Sequence, residues 1–121
     1  MLLFVYGTLR RGEDNHAQLG RAAYRGEART RPCYELVDMG GYPALLEAGA
    51  DAVRGELYEV PESLVPHLDA FEEVPMLYER KQIALADAQV LGYVMRREVA
   101  GSAPRIPSGD WCARAADHAG P

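Results

Sequence analysis

Apolar and polar positions along the chain predict many short strands and one good helix. Leu2 to Tyr6 is a continuous apolar run ended by Gly7-Thr8, the pattern of a strand buried on both faces. The polar stretch from Arg10 to Asn15 reads as a loop, and Ala17 to Ala23 as a short helix. Strand patterns follow at Glu27 to Thr30, Tyr34 to Val37 and Ala44 to Leu46, the last two separated by Gly40-Gly41. A further strand, Val53 to Val60, puts Val53, Gly55, Leu57 and Glu59 on one face and Arg54, Glu56, Tyr58 and Val60 on the other. Neither face is cleanly apolar, which suits a small, strongly curved sheet or barrel, with Gly55 marking a close backbone approach or a bend. Pro61 to Glu72 is the best helix, with Ser63 as its cap and Pro66 in the first turn, where a missing N–H costs little. Tyr78 to Leu85 and Gln89 to Arg97 then form a hairpin across Ala86-Asp87-Ala88. Past Val99 the chain turns to Gly, Ser, Ala and Pro, with Trp111 as its one large apolar anchor, so residues 100–121 are expected to pack on or fray from a domain of residues 1–99.

On a helical wheel at about 100° per residue, Leu64, Val65, Leu68 and Phe71 form the apolar arc. Glu72 falls inside that arc and Glu73 about 100° beyond it, facing water. If the helix persists to its end, Glu72 aims its carboxylate at the core or a cleft, where desolvation raises its pKa toward the range of a general base. If the helix ends at Phe71, Glu72 is a solvated end residue. The wheel alone leaves both readings open.

Composition narrows the class. With 121 residues, 48% hydrophobic and 26% charged, the chain has room for one globular domain. Eighteen acidic against thirteen basic residues give a net charge of -5, which disfavours a nucleic-acid binder and leaves small neutral or cationic partners. The N-terminus is apolar first and basic after, the reverse of a secretory signal, and its apolar run is too short to span a bilayer, so a cytoplasmic protein with no membrane partner is expected. Cys33 and Cys112 have neither CxxC spacing nor a histidine pair nearby, so they read as two reduced thiols in packing positions, and no metal cluster is suggested. The turn at Tyr6-Gly7-Thr8-Leu9 could converge backbone N–H groups on an anion, although it lacks the glycine fingerprints of nucleotide sites. Arg10 and Arg11 read most simply as solvated, His16 as a capping or packing residue, and His67 as half exposed. His118 carries no signal. Tyr24, Tyr34, Tyr42, Tyr58 and Tyr93 read as sheet residues, one or two of which line a cavity.

Five segments in order, FVYGTLRRGEDNH at residues 4–16, Gly41-Tyr42-Pro43-Ala44, Gly55-Glu56-Leu57-Tyr58, LDAFEEVPMLYERK at residues 68–81, and Ile106-Pro107-Ser108-Gly109-Asp110-Trp111, resemble the gamma-glutamylcyclotransferase family, also called AIG2-like or BtrG-like. The fourth looks closest to its gamma-glutamylamine cyclotransferase and BtrG branches. The resemblance implies an α+β fold, a small closed mixed β-barrel flanked by helices with a cavity at one end. It implies an enzyme that cyclises a gamma-glutamyl group to 5-oxoproline and releases the attached amine, without a cofactor. Glu72 falls on the family's catalytic glutamate, Tyr6, Gly7, Thr8 and Leu9 on its substrate loop, and Tyr78 on a tyrosine expected near the cavity. The expected partner is a small gamma-glutamyl substrate, and the expected state a monomer. A binding module without the reaction, or an enzyme acting on gamma-glutamyl amino acids from glutathione turnover, are the competing readings.

Overall fold

The computed structural model describes residues 1–113. The described residues form seven strands: β1 (Leu2–Val5), β2 (Ala23–Arg29), β3 (Tyr34–Asp38), β4 (Pro43–Asp51), β5 (Arg54–Glu59), β6 (Glu79–Ala84) and β7 (Gln89–Val94). Two short helices accompany them, α1 (Val65–Phe71) and α2 (Arg97–Ala100). Five strands form one mixed sheet in the order β2-β5-β1-β7-β6, while β3 and β4 form a separate antiparallel hairpin. β1 is central, antiparallel to β5 and parallel to β7.

The sheet curls but is not a closed barrel. Among the described residues its edge strands meet in a single bridge, Thr30 to Leu85, backed by the Arg31 N–H on the Ala84 carbonyl at 2.9 Å. The β3–β4 hairpin supplies the apolar cover that closure would otherwise provide, and Met95 N–H ties to it at Leu45 O, 2.9 Å away. Its Val37, Ala44 and Leu46 join one core with Leu3, Val5, Tyr58 and Leu68, and its Leu36 and Leu45 join a second with Phe4, Val53, Ile83 and Trp111. β1 therefore feeds both cores, Leu3 and Val5 to one and Phe4 to the other, as its unbroken apolar run requires.

Gly55 lies where β5 crosses close to β1. A side chain there would drive into the Val5 carbonyl and the Phe4 ring. Gly55→Ala is therefore expected to destabilise the fold by about 1–3 kcal/mol, because the packed core has no room to yield. A shift of the urea midpoint measures it, and an unshifted midpoint contradicts the packing described.

Local signals were overridden in several places. The helix expected at Ala17 to Ala23 is one 3-10 turn, His16–Leu19, stopped by Gly20 at φ 56, and β2 begins at Ala23. β4 runs on past Leu46 to Asp51, where Glu47 to Ala50 are exposed and give no apolar alternation for a sequence pattern to show. Ser63 does not cap α1: it sits in a preceding 3-10 turn, Glu62–Leu64, although Pro66 does lie in the first turn. The segment after Val99 is packed through more than Trp111: Ile106 is fully buried, its N–H donates to Leu36 O at 2.7 Å, and Arg54 N–H donates to Gly109 O at 2.7 Å. Cys33 and Cys112 are unpaired but exposed, not in packing positions. His118 lies outside the described residues, and none of the helices described is long and apolar enough to cross a membrane.

Candidate active site

A cavity of about 290 Å³ opens where the end of β1, the start of β4 and the end of α1 converge. Tyr6, Gly7, Thr8, Leu9, Glu72 and Tyr78 all line it. Three sequence segments distant from one another meet here. Any side chain on Gly7 would strike the ring of Pro43, and the Pro43 carbonyl accepts the Tyr78 hydroxyl at 2.6 Å. Gly7 is thus glycine because the Gly41-Tyr42-Pro43 wall presses against its Cα.

The loop after β1 is fixed from behind. Gly7 O accepts Arg10 N–H at 3.0 Å, Thr8 O accepts Asn15 N–H at 2.9 Å, and His16 Nδ1 lies 2.8 Å from Leu9 O, the distance of a ring N–H donating to that carbonyl. Asn15 also donates from its side chain to Thr8 Oγ1 at 3.0 Å. In a trans peptide the carbonyl and the next N–H point in opposite directions. Holding the Gly7 and Thr8 carbonyls therefore turns the N–H groups of Thr8 and Leu9 the other way, and among the described residues neither donates to a protein acceptor. The result is a small preorganised pair of donors.

Glu72 sits at the end of α1. The helix does stop at Phe71, yet Glu72 N–H still donates to Leu68 O at 2.9 Å, so its side chain keeps the direction the wheel assigns. The next residue, Glu73, leaves through φ 54, which ends the helix and leaves its side chain exposed at the cavity rim. Among the described residues the Glu72 carboxyl makes no hydrogen bond and no ion pair. Burial alone pushes its pKa up to about 7. A partly buried carboxyl without a partner is an exception to the rule that buried polar groups are satisfied.

The tyrosines around it are committed elsewhere. Tyr6 Oη donates to Tyr93 O at 2.7 Å and accepts Leu45 N–H at 3.2 Å. Tyr93 Oη donates to Asp69 Oδ1 at 2.8 Å. Burial, with the acidic neighbours Tyr78 and Glu72, raises the Tyr6 phenol far above its ordinary range, and burial does the same for Tyr78 and Tyr93, so all three stay neutral. Of the other tyrosines, the exposed Tyr42 and the buried Tyr93 also line the cavity.

Sequence reasoning missed part of the surroundings. Arg10 is not solvated: it is only 7% exposed, with Nε 3.1 Å from Glu56 Oε2 and Nη1 2.7 Å from Asp110 Oδ1. Arg11 is exposed but lies over the Tyr24 ring, 3.9 Å from its centre. Burial disfavours the charged form of Glu56, yet hydrogen bonds from Arg11 N–H, Arg10 and the Tyr58 hydroxyl outweigh it and hold the carboxyl below its usual range. His16 packs against Tyr58 and carries the loop, whereas His67 is exposed, with its Nε2 2.7 Å from Gln18 Oε1. Asp14 and Asn15 line the cavity from within the polar stretch read only as a loop.

Known proteins resemble this chain in sequence and in fold. Residues 3–113 match the family described as Gamma-glutamyl cyclotransferase, AIG2-like, and the chain belongs to that family. A Vibrio cholerae protein provisionally named gamma-glutamylcyclotransferase is 42% identical over 93% of this chain and 96% of its own. The Bos taurus gamma-glutamylaminecyclotransferase is also 42% identical, over 74% of this chain, and the Homo sapiens one 44%, over 65%. The chain spans only 59% and 58% of those two enzymes. Among solved structures, an aig2-like protein from Mus musculus superposes with a TM-score of 0.68 at 35% identity, over 78% of this chain and 76% of that one. YtfP from Escherichia coli gives 0.73 at 32%, over 95% of this chain and 99% of its own.

Proposed function

We propose that this protein is a gamma-glutamyl cyclotransferase that converts a gamma-glutamylamine, or a gamma-glutamylated natural product, to 5-oxoproline and the free amine. The observation that carries the reading is the Glu72 carboxyl, partnerless, aimed into the cavity and poised near neutral pH. The substrate brings its own nucleophile. Glu72 takes a proton from the substrate's α-ammonium, and the freed amine attacks the gamma-carbonyl to form the ring C–N bond. The developing oxyanion and the glutamyl carboxylate both need donors, and the Thr8 and Leu9 amides are the candidates for them. Glu72 then returns its proton to the distal nitrogen as the original amide C–N bond breaks, and the second proton of the ring nitrogen passes by the same carboxyl to the released amine, which leaves as an ammonium, so one carboxyl serves as base and then acid and no water is consumed. Tyr6, Tyr78, Phe71 and Leu77 wall the cavity and keep the glutamyl chain folded. Such orientation is worth effective molarities of about 10⁵ to 10⁸ M in intramolecular reactions.

Charge favours an amine as the leaving group. The acidic side chains lining the cavity are Asp14, Glu72 and Glu73, with no Lys, Arg or His among the described lining residues. A leaving amino acid with a free α-carboxylate next to the amide meets like charges at the rim, whereas a neutral or cationic amine does not. The deciding experiment incubates the protein with gamma-glutamyl amino acids, amines, polyamines and aminoglycosides and detects 5-oxoproline by mass. Release from the amine substrates is expected, with kcat/KM rising as pH passes upward through about 7 while Glu72 loses its proton. Silence across the panel from folded protein favours a binding module instead. Release confined to the amino acids favours glutathione turnover.

A further inference from the structure

We infer that Asp110, reaching the active-site loop from the far end of the chain, is a positioning residue that sets the Thr8 and Leu9 amides through Arg10. Arg10 directly follows the loop, and its own N–H closes the loop turn onto Gly7 O at 3.0 Å. Its guanidinium is buried and forked between two carboxylates. Nε meets Glu56 Oε2 at 3.1 Å, while Nη1 meets Asp110 Oδ1 at 2.7 Å. Glu56 grips the same stretch a second time, because its Oε1 accepts the Arg11 main-chain N–H at 2.9 Å.

Asp110 is itself held in place. The same Oδ1 accepts Cys112 N–H at 3.0 Å, and the preceding Gly109 is pinned to β5 by Arg54 N–H at 2.7 Å. A side chain on Gly109, which stands at φ 66, would collide with the Ala52 carbonyl, so this turn lies flush on the sheet. Asp110 therefore transmits the position of a rigid surface to the residue that closes the loop. Its contact with Arg10 is charge-assisted and short, the kind of bond that defines an orientation. Amide donors aimed at a reacting oxygen lose most of their effect when displaced by about 1 Å.

This inference rests on the cyclotransferase reading for its kinetic arm but not for its structural one. The test compares Asp110→Asn with Asp51→Asn. The second variant cuts another tether of the same segment, the paired contacts of Arg105 with Asp51 at 2.7 and 2.8 Å, which lie away from the cavity. Hydrogen exchange of the Arg10 and Asn15 amides, whose bonds to Gly7 O and Thr8 O fix the loop, is read by NMR at a temperature where both variants are folded. Asp110→Asn is expected to speed it about tenfold, with Asp51→Asn unchanged. In the kinetic arm, Asp110→Asn is expected to raise KM and lower kcat/KM about tenfold or more, while the acid limb near pH 7 stays where Glu72 puts it.

A merely structural Asp110 would lower the folded fraction, which reduces apparent kcat and leaves KM untouched. Unchanged exchange at Arg10 and Asn15, or faster exchange with unchanged KM, overturns the inference. If the wild type releases no 5-oxoproline, the functional reading falls by itself, and the exchange comparison still decides whether Asp110 holds the loop.

Discussion

Glu72→Gln is expected to abolish 5-oxoproline release and, at pH 8, to yield a protein more stable than the wild type. The two effects have one cause. A carboxyl raised from 4.5 to about 7 by burial binds a proton in the folded state that it lacks in the unfolded chain over that interval. Stability therefore falls as pH rises from about 4.5 through about 7 and stays at the lower level above it. The neutral amide has no such loss. At 1.4 kcal/mol per pKa unit, the variant should gain on the order of 1–3 kcal/mol at pH 8 relative to its standing at pH 4.5. Urea denaturation at both pH values measures the difference, and 5-oxoproline detection measures the activity. Glu73→Gln, a change at an exposed rim residue, should keep most of the activity. Near-normal turnover by Glu72→Gln with a dead Glu73→Gln would sink the assignment.

Arg10→Met should be the most destabilising single change near the site. Its two partners, Glu56 and Asp110, remain as carboxylates facing a space that held their shared cation, and Glu56 is almost fully buried. Breaking a buried pair by deleting one partner costs about 3–5 kcal/mol, because the remaining charge has no solvent to replace it. Against a typical total of about 5–15 kcal/mol, that moves a large share of the molecules toward unfolding. Adding Glu56→Gln to Arg10→Met should return part of the loss, since one buried anion fewer is left. A loss below about 1 kcal/mol for Arg10→Met would contradict a dry, load-sharing network. Glu56 also has the opposite pH sign to Glu72. Its depressed pKa contributes stability that is present above 4.5 and lost as pH falls through its lower folded value.

Much of the site was legible because its geometry is local. The wheel placed Glu72 inward, and a helix that stops one residue early does not change that, since the Leu68 carbonyl still holds the Glu72 N–H. Gly55 read as a point of close approach or a bend, which its contact with Val5 and Phe4 bears out. Helix capping was less legible. Ser63 carries a preferred cap side chain, but a 3-10 turn occupies its position and shifts the helix start to Val65.

The amino-acid sequence by itself determined the strand-rich α+β class, the two-faced burial of β1, the place of Glu72 within the apolar arc and the family. These follow from periodicity, glycine positions and motif spacing, which act over a few residues. Only the tertiary structure decided whether the sheet closes, how Gly7 meets Pro43, and that Arg10 is buried. Two adjacent arginines in a polar loop look solvated until Glu56 and Asp110 arrive from 46 and 100 residues away to neutralise one of them. Such a charge can be buried only because its partners come with it, and a linear chain does not display which distant carboxylates will share its pocket.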